Sequence, residues 1–159
     1  MIQVTVITVG GLKESYWRDA VAEYEKRLAA FCQPRVIQLK EARLPENPSE
    51  GEIRAALSAE GKEILAAVPP RSFCVTLCVE GKQFSSEALA KKLEVALQES
   101  SSLCFIIGSS HGLAPEVKAA CRLRLSVSEL TFPHQMMRVL LLEVLYRSFS
   151  ILKGTKYHK

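Results

Sequence analysis

The sequence lacks the features that mark several large classes of protein. No apolar run is long enough to span a bilayer, and the opening Met1–Val6 carries no basic region, so we predict a soluble, cytoplasmic protein with no membrane partner. The five cysteines are an odd number and include no Cys-x-x-Cys pair, which predicts buried free thiols and no metal site. There are no internal repeats or low-complexity tracts.

What is present is typical of one folded domain with a mildly basic surface. A chain of 159 residues, 48% of them hydrophobic, is most simply a single domain over residues 1–159 with a sizeable core. The net charge is +4, and the last seven residues contain three lysines and one histidine. This balance is compatible with an RNA partner but does not demand one.

Strand-like and helix-like segments alternate along the chain, which predicts an α/β domain with a mainly parallel sheet. We predict strands at residues 2–9, 36–39, 72–79, 103–107 and 123–127. Helices are predicted at 14–28, from a Ser49/Glu52 capping box to just before Pro69, at 86–98, briefly from Pro115, and at 134–152.

Parallel sheets bind ligands beyond the carboxyl ends of their strands. Three such ends stand out, at Leu77–Gly81, Ile107–Gly112 and Val127–Phe132. The backbone of the last segment can read an adenine ring, with apolar contacts from Leu77, Leu130 and Phe132. The alternative is that these are ordinary connecting loops.

The last predicted helix is apolar on almost every side, which predicts burial both by its own domain and by a second subunit. Arg138 shares the apolar row of Leu142, Leu145 and Phe149, whereas Glu143, Arg147 and Ser150 form a separate polar strip. A charge on an apolar face needs a partner. Arg138 therefore either pairs with a buried carboxylate or is held for a phosphate, a base or an acidic group. We expect His134 to cap the helix.

Three segments carry a family resemblance: Leu130–Arg138 (LTFPHQMMR), Glu143–Arg147 (EVLYR) and the terminal Tyr157-His158-Lys159. With these, with its length and with its opening, the whole chain resembles the RlmH-type methyltransferases of the SPOUT class. The resemblance implies transfer of a methyl group from S-adenosylmethionine to N3 of a pseudouridine in large-subunit (23S) ribosomal RNA. It also implies a trefoil knot, made by threading the C-terminal helix through a loop, whereas pattern alone would not predict a knot.

The resemblance places the cofactor in the same three loops. The family usually has Gly-Gly at positions 108 and 109, but this chain has Ser109, whose side chain would either narrow the cleft or contact solvent. The residues expected to bind the cofactor are Leu77, Gly108, Val127, Ser128, Glu129, Leu130, Thr131 and Phe132.

The catalytic residues implied are Arg138, Tyr157 and His158. His158 would accept the N3 proton, Arg138 would stabilise negative charge on the base or grip a phosphate, and Tyr157 would stack on or hydrogen-bond the base. The tail would fold over the cleft of its own or of the partner subunit, although a disordered tail is the alternative. The RNA phosphates would be contacted by Lys153, Lys156 and Lys159.

The chain has no separate RNA-binding domain, so we predict a homodimer that acts on the assembled ribosome. Three other functions stay open. One is a Rossmann-type methyltransferase using Gly10-Gly11 and Glu41, although no Gly-x-Gly-x-x-Gly follows the first strand. Another is a non-catalytic RNA- or ribosome-binding protein of the same fold, which the loss of Gly-Gly at 108 and 109 favours. The third is a flavodoxin-like domain, although neither an acidic cluster nor a phosphate loop follows Val9.

Overall fold

The computed structural model describes residues 1–159, and the fold is built on one five-stranded sheet. All strand pairs are parallel, in the order β2-β1-β4-β3-β5, which confirms the predicted α/β class. The strands are β1 Gln3–Val9, β2 Gln33–Leu39, β3 Phe73–Lys82, β4 Ser102–Ile107 and β5 Leu123–Leu125.

Helices cover both faces of the sheet, and each face has its own core. The helices are α1 Ser15–Leu28, α2 Glu50–Ala67, α3 Ser86–Glu99, α4 Pro115–Ala120 and α5 His134–Leu152. The larger core packs α1, α3 and α5 on one face, and the smaller packs α2 and α4 on the other. The predicted capping box is confirmed, because Ser49 and Glu52 each accept the other's backbone N–H.

Two predicted boundaries on edge strands are wrong. β2 begins at Gln33 rather than Val36 and includes Pro34. An edge strand tolerates proline because one side of its backbone pairs with no neighbour. β5 ends at Leu125 rather than Val127, so the following loop begins two residues earlier than the apolar pattern indicates.

Glu80 and Gly81 follow the predicted end of β3 at residue 79, but in the structure they lie in a bulge within that strand. Leu77 and Lys82 both pair with Leu125, so the residues between them leave the sheet while β3 continues to Lys82. The amide of Ser126 donates to the Lys82 carbonyl at 2.9 Å and closes the bulge. A bulge of this kind redirects side chains beside a ligand site.

The last helix is confirmed at its predicted bounds, and none of its residues is fully exposed. It lies between α1 and α3 and packs against the sheet. The chain itself therefore covers much of α5, and burial by a second subunit stays a prediction. Placing Ser150 on the polar strip was wrong, because the residue is buried, with its hydroxyl unpaired and its carbonyl accepting from the Thr155 amide.

Three of the five cysteines, Cys32, Cys74 and Cys104, are buried free thiols. Burial raises the pKa of Cys32 to about 11, which keeps that thiol protonated. No helix is both long and apolar enough to cross a membrane. The trefoil knot stays a prediction.

Candidate functional site

The three predicted strand ends meet at one cleft on the carboxyl edge of the sheet. Its walls come from the β3 bulge, from the turn after β4 and from the loop between β5 and α5. The cleft has a volume of about 580 Å³, within the range of small-molecule sites. Two adjacent walls depend on unusual backbone, the bulge in β3 and the turn that begins at Gly108.

Gly108 permits a very close backbone approach in the turn after β4. A Cβ atom there would lie 2.2 Å from the Gly112 carbonyl oxygen and 2.8 Å from Cγ of Leu113. The amide of Gly112 donates to the Ser109 carbonyl at 2.9 Å, which tightens the turn. Glycine at 108 is therefore required by the turn itself, before any ligand is considered.

Ser109, where the family usually has glycine, is engaged with a buried carboxylate. Its hydroxyl donates to Oε1 of Glu60 at 3.1 Å, and the Ala42 amide donates to Oε2 at 2.9 Å. Glu60 is only 6% exposed, and a buried carboxylate needs such donors. The predicted contact with solvent is wrong, because Ser109 is only 7% exposed, whereas narrowing of the cleft, which Ser109 lines, stays a prediction.

Replacing Ser109 with glycine is expected to destabilise the fold without improving cofactor binding. Glu60 would lose one of its two donors, which costs about 1–3 kcal/mol in unfolding free energy. Because the hydroxyl is turned to Glu60, affinity for S-adenosylmethionine should change by less than about threefold, which is under 1 kcal/mol. Urea unfolding and titration calorimetry measure the two quantities. Tenfold tighter binding in the variant would show that the hydroxyl obstructs the cleft.

The loop from Ser126 to Pro133 is shaped by its serines and leaves peptide groups free. The Ser126 hydroxyl donates to the Ser128 carbonyl, and the Ser128 hydroxyl accepts from the Leu130 amide, both at 3.0 Å. The amide N–H groups of Val127, Ser128, Thr131 and Phe132 donate no hydrogen bond within the chain. Free donors beside exposed apolar groups such as Leu130 suit a heterocyclic ligand.

Seven of the eight residues predicted to bind cofactor line the cleft, and Glu129 does not. The seven are Leu77, Gly108, Val127, Ser128, Leu130, Thr131 and Phe132. Their contact with a cofactor stays a prediction. Sequence reasoning missed Lys118, His134 and Met137, which also line the cleft. His134 and Met137 could have been identified from the sequence, because they lie in the first turn of the helix that follows a cleft loop.

The predicted capping role of His134 is wrong. The N-cap position of α5 is Pro133, no side chain caps the helix, and the imidazole makes no hydrogen bond. His134 instead faces the cleft beside the Gly10 turn, with Nε2 3.7 Å from where a Gly10 Cβ would lie. Glu80 and Lys118, which also line the cleft, form an ion pair.

Arg138 is buried as predicted, but it does not reach the cleft. Its exposure is 2%, and its guanidinium donates to the Gly10 carbonyl at 2.9 Å and to Oε1 of Gln38 at 3.2 Å. The first alternative, pairing with a buried carboxylate, is wrong, and Nε has no partner. Burial lowers the pKa of Arg138, although an arginine remains charged. The geometry supports a role in holding the turn after β1.

The C-terminal tail is ordered on its own helix, outside its own cleft. Tyr157 donates to Oε2 of Glu143 at 2.7 Å and stacks edge-on against Tyr146 at 4.7 Å. His158 contacts Arg147 through Nδ1 at 3.3 Å and Glu87 through Nε2 at 2.8 Å. Since a guanidinium only donates, Nδ1 accepts and Nε2 carries the proton. The tail neither is disordered nor covers the cleft of its own chain.

Glu143 anchors this tail, and its charge is stabilised there. Burial alone would raise the pKa of Glu143, but hydrogen bonds from Tyr157 and Arg147 outweigh it and hold the pKa below its ordinary value. The same contact raises the pKa of Tyr157. The phenol therefore stays protonated at neutral pH and acts as a donor.

Replacing Glu143 with glutamine is expected to lower the unfolding free energy by about 2 kcal/mol at pH 7, since charge-assisted hydrogen bonds are lost. A carboxyl whose pKa is depressed by folding stabilises the native state in full above its unfolded value, here 4.5. That contribution disappears as pH falls below 4.5 through the folded value. Urea unfolding at several pH values tests this. A difference between the two proteins that persists undiminished in acid would contradict it.

A wholly parallel sheet with helices on both faces is typical of α/β proteins that bind ligands at the carboxyl edge of the sheet. The ligand-sized cleft of this chain lies at that edge, where three strand ends meet. The model of the family described as predicted SPOUT methyltransferase matches residues 2–158. The chain therefore belongs to the SPOUT methyltransferase family. Membership implies methylation of RNA that depends on S-adenosylmethionine, and it argues against the Rossmann-type and flavodoxin-like alternatives.

Proposed function

We propose that this chain methylates N3 of a pseudouridine in large-subunit (23S) ribosomal RNA, on the assembled ribosome and as a homodimer in the cytoplasm. The observation that carries methyl transfer is the single cleft formed by the three predicted loops. The particular substrate rests on the resemblance of Leu130–Arg138, Glu143–Arg147 and Tyr157–Lys159 to the RlmH-type enzymes.

The residues of the cleft fit S-adenosylmethionine, which supplies an electrophilic methyl group when bound. Its adenine would lie among the apolar groups Leu77, Leu130 and Phe132, with free backbone N–H groups of the Val127–Phe132 loop as donors. The chain's contribution is to exclude water, to orient the target base and to accept its N3 proton.

The tail supplies the groups for the proton transfer. The protonated phenol of Tyr157 donates a hydrogen bond, and the imidazole of His158 is the group that accepts the N3 proton. In the single chain both ring nitrogens of His158 are engaged, by Arg147 and Glu87. Acting as a base therefore requires His158 to exchange at least one of these partners. Arg138 serves as a positioning residue, through the Gly10 carbonyl.

A homodimer explains why the tail lies away from its own cleft. None of the residues that line the cleft comes from the tail, which packs instead across α5 and α3. In a dimer the outer surface of α5, and the tail on it, would face the partner's cleft. Each site would then combine three loops of one subunit with Tyr157 and His158 of the other.

Methyl transfer from labelled S-adenosylmethionine tests this function. The substrates are intact ribosomes that lack the modification and free ribosomal RNA from the same ribosomes. We expect label only in the ribosomes, at N3 of one pseudouridine, identified by nuclease digestion and mass spectrometry. Label at another position would overturn the substrate, and equal labelling of free RNA would overturn the need for the assembled ribosome. A folded dimer that labels neither would favour a non-catalytic RNA-binding protein.

A further inference from the structure

A second cleft, of about 510 Å³, is lined by Lys82, at the end of the β3 bulge, and by residues that follow it. We call it the basic groove. Three of its lining residues are lysines and none is acidic. The residues that line it are Lys82, Gln83, Phe84, Ser85, Ala88, Lys91, Lys92 and Val95.

Two of the three lysines are free to neutralise a partner's negative charge. Lys91 is paired with Glu94 at 3.1 Å, whereas neither Lys82 nor Lys92 forms an ion pair. The ammonium of Lys82 lies over the Phe84 ring, 5.0 Å from its centroid. This cation–π contact restricts the conformations of the Lys82 side chain, so its charge stays at the groove.

The position of the groove links it to the site of methyl transfer. The bulge separates the two clefts: Cys78, Val79 and Glu80 line the cofactor cleft, and Lys82 lines the groove two residues further on. The backbone of Lys82 is fixed by pairing with Leu125 and by the Ser126 amide. Two residues span at most about 7 Å. One strand of nucleic acid can therefore occupy the groove while a neighbouring nucleotide reaches the cofactor cleft.

We propose that the basic groove binds the phosphodiester backbone of the substrate RNA next to the methylated nucleotide. This rests on the proposed function in taking RNA as the partner. Lysines that line a groove give affinity for phosphates that does not depend on base sequence. The N-terminus of α3 is not counted among the groups that bind phosphate, because the Ser85 hydroxyl already caps it by accepting from the Ala88 amide.

The test replaces Lys82 and Lys92 together with glutamine. A matched control, Arg54→Gln with Lys62→Gln, removes two exposed and unpaired charges from α2, on the other face of the sheet. Binding of a fluorescently labelled single-stranded RNA is measured by anisotropy over a range of salt concentrations. Each phosphate contact contributes about −0.7 to the slope of log K against log salt. The groove variant should make that slope shallower by about 1.4, and the control should leave it unchanged.

Further measurements separate this groove from its alternatives. Calorimetry should show the same affinity for S-adenosylmethionine in both double variants, and the groove variant should raise KM for ribosomes while kcat is retained. Equal RNA affinity and salt slope in the two variants would overturn the proposal. So would a raised KM with unchanged RNA binding, which would indicate an acidic protein partner on the ribosome. If the groove variant and the wild type differ in salt slope as predicted while the wild type transfers no methyl group, the groove binds RNA and the proposed function is wrong.

Discussion

Replacing Gly108 with alanine is expected to weaken binding of S-adenosylmethionine by about a hundredfold. The new Cβ would lie 2.2 Å from the Gly112 carbonyl oxygen, a distance that requires the backbone to move. Because the turn forms one wall of the cleft, its movement displaces groups on which the cofactor would rest. Overpacking of this kind costs about 3 kcal/mol, which corresponds to that loss of affinity. Titration calorimetry provides the measurement.

Gly112 offers a matched control in the same turn. It has a φ of +92°, and a Cβ there would meet nothing within 4 Å. Gly112→Ala should therefore cost only the strain of a left-handed conformation, about 1–2 kcal/mol of unfolding free energy. Cofactor affinity should fall much less than in Gly108→Ala. Equal affinity in Gly108→Ala and the wild type would mean that this turn is not a wall of the cofactor site.

Replacing His158 with alanine is expected to reduce methyl transfer at least about a hundredfold, which is the lower range for loss of a general base. Cofactor affinity should be unchanged, because the residues that would hold the cofactor belong to the three loops that line the cleft and not to the tail. Single-turnover transfer to ribosomes, with calorimetry alongside, measures both quantities.

Glu87→Gln is the control that separates catalysis from packing. It removes the carboxylate that accepts from Nε2 of His158 at 2.8 Å but leaves the imidazole in place. If His158 acts as a base, this variant keeps methyl transfer within a few-fold of the wild type. If Glu87→Gln is as damaging as His158→Ala, the histidine matters for the fold of the tail. Full transfer by His158→Ala would show that another group accepts the proton.

The sequence predicts the arrangement of this fold better than its boundaries. Alternation of apolar segments identifies all ten helices and strands, because a sheet covered on both faces demands apolar strands such as Leu103–Ile107. The errors at Pro34 and Val127 lie in edge strands, which need not be apolar throughout. The bulge in β3 was missed because it depends on pairing of Leu77 and Lys82 with the same residue, Leu125, which is a long-range contact.

In the candidate site, too, the sequence predicts local features but not long-range contacts. Loops at strand ends are predictable, and seven cleft residues follow from them. The partners of buried charges are not predictable, because they come from distant segments. Glu60 lies in line with Ile53, Leu57 and Ile64 on the apolar side of α2, the same signal that singles out Arg138. That signal predicts a buried charge, but it does not predict the Ser109 hydroxyl or the Gly10 carbonyl as its partner.

Binding of S-adenosylmethionine to the purified chain tests the central claim most directly, since every proposed step depends on the cleft that the three loops form. Titration calorimetry should show one molecule bound per chain, displaced by S-adenosylhomocysteine and bound about a hundredfold more weakly in Gly108→Ala. No binding to a wild-type protein that is shown to be folded would contradict the account and would favour a non-catalytic RNA-binding protein with this fold.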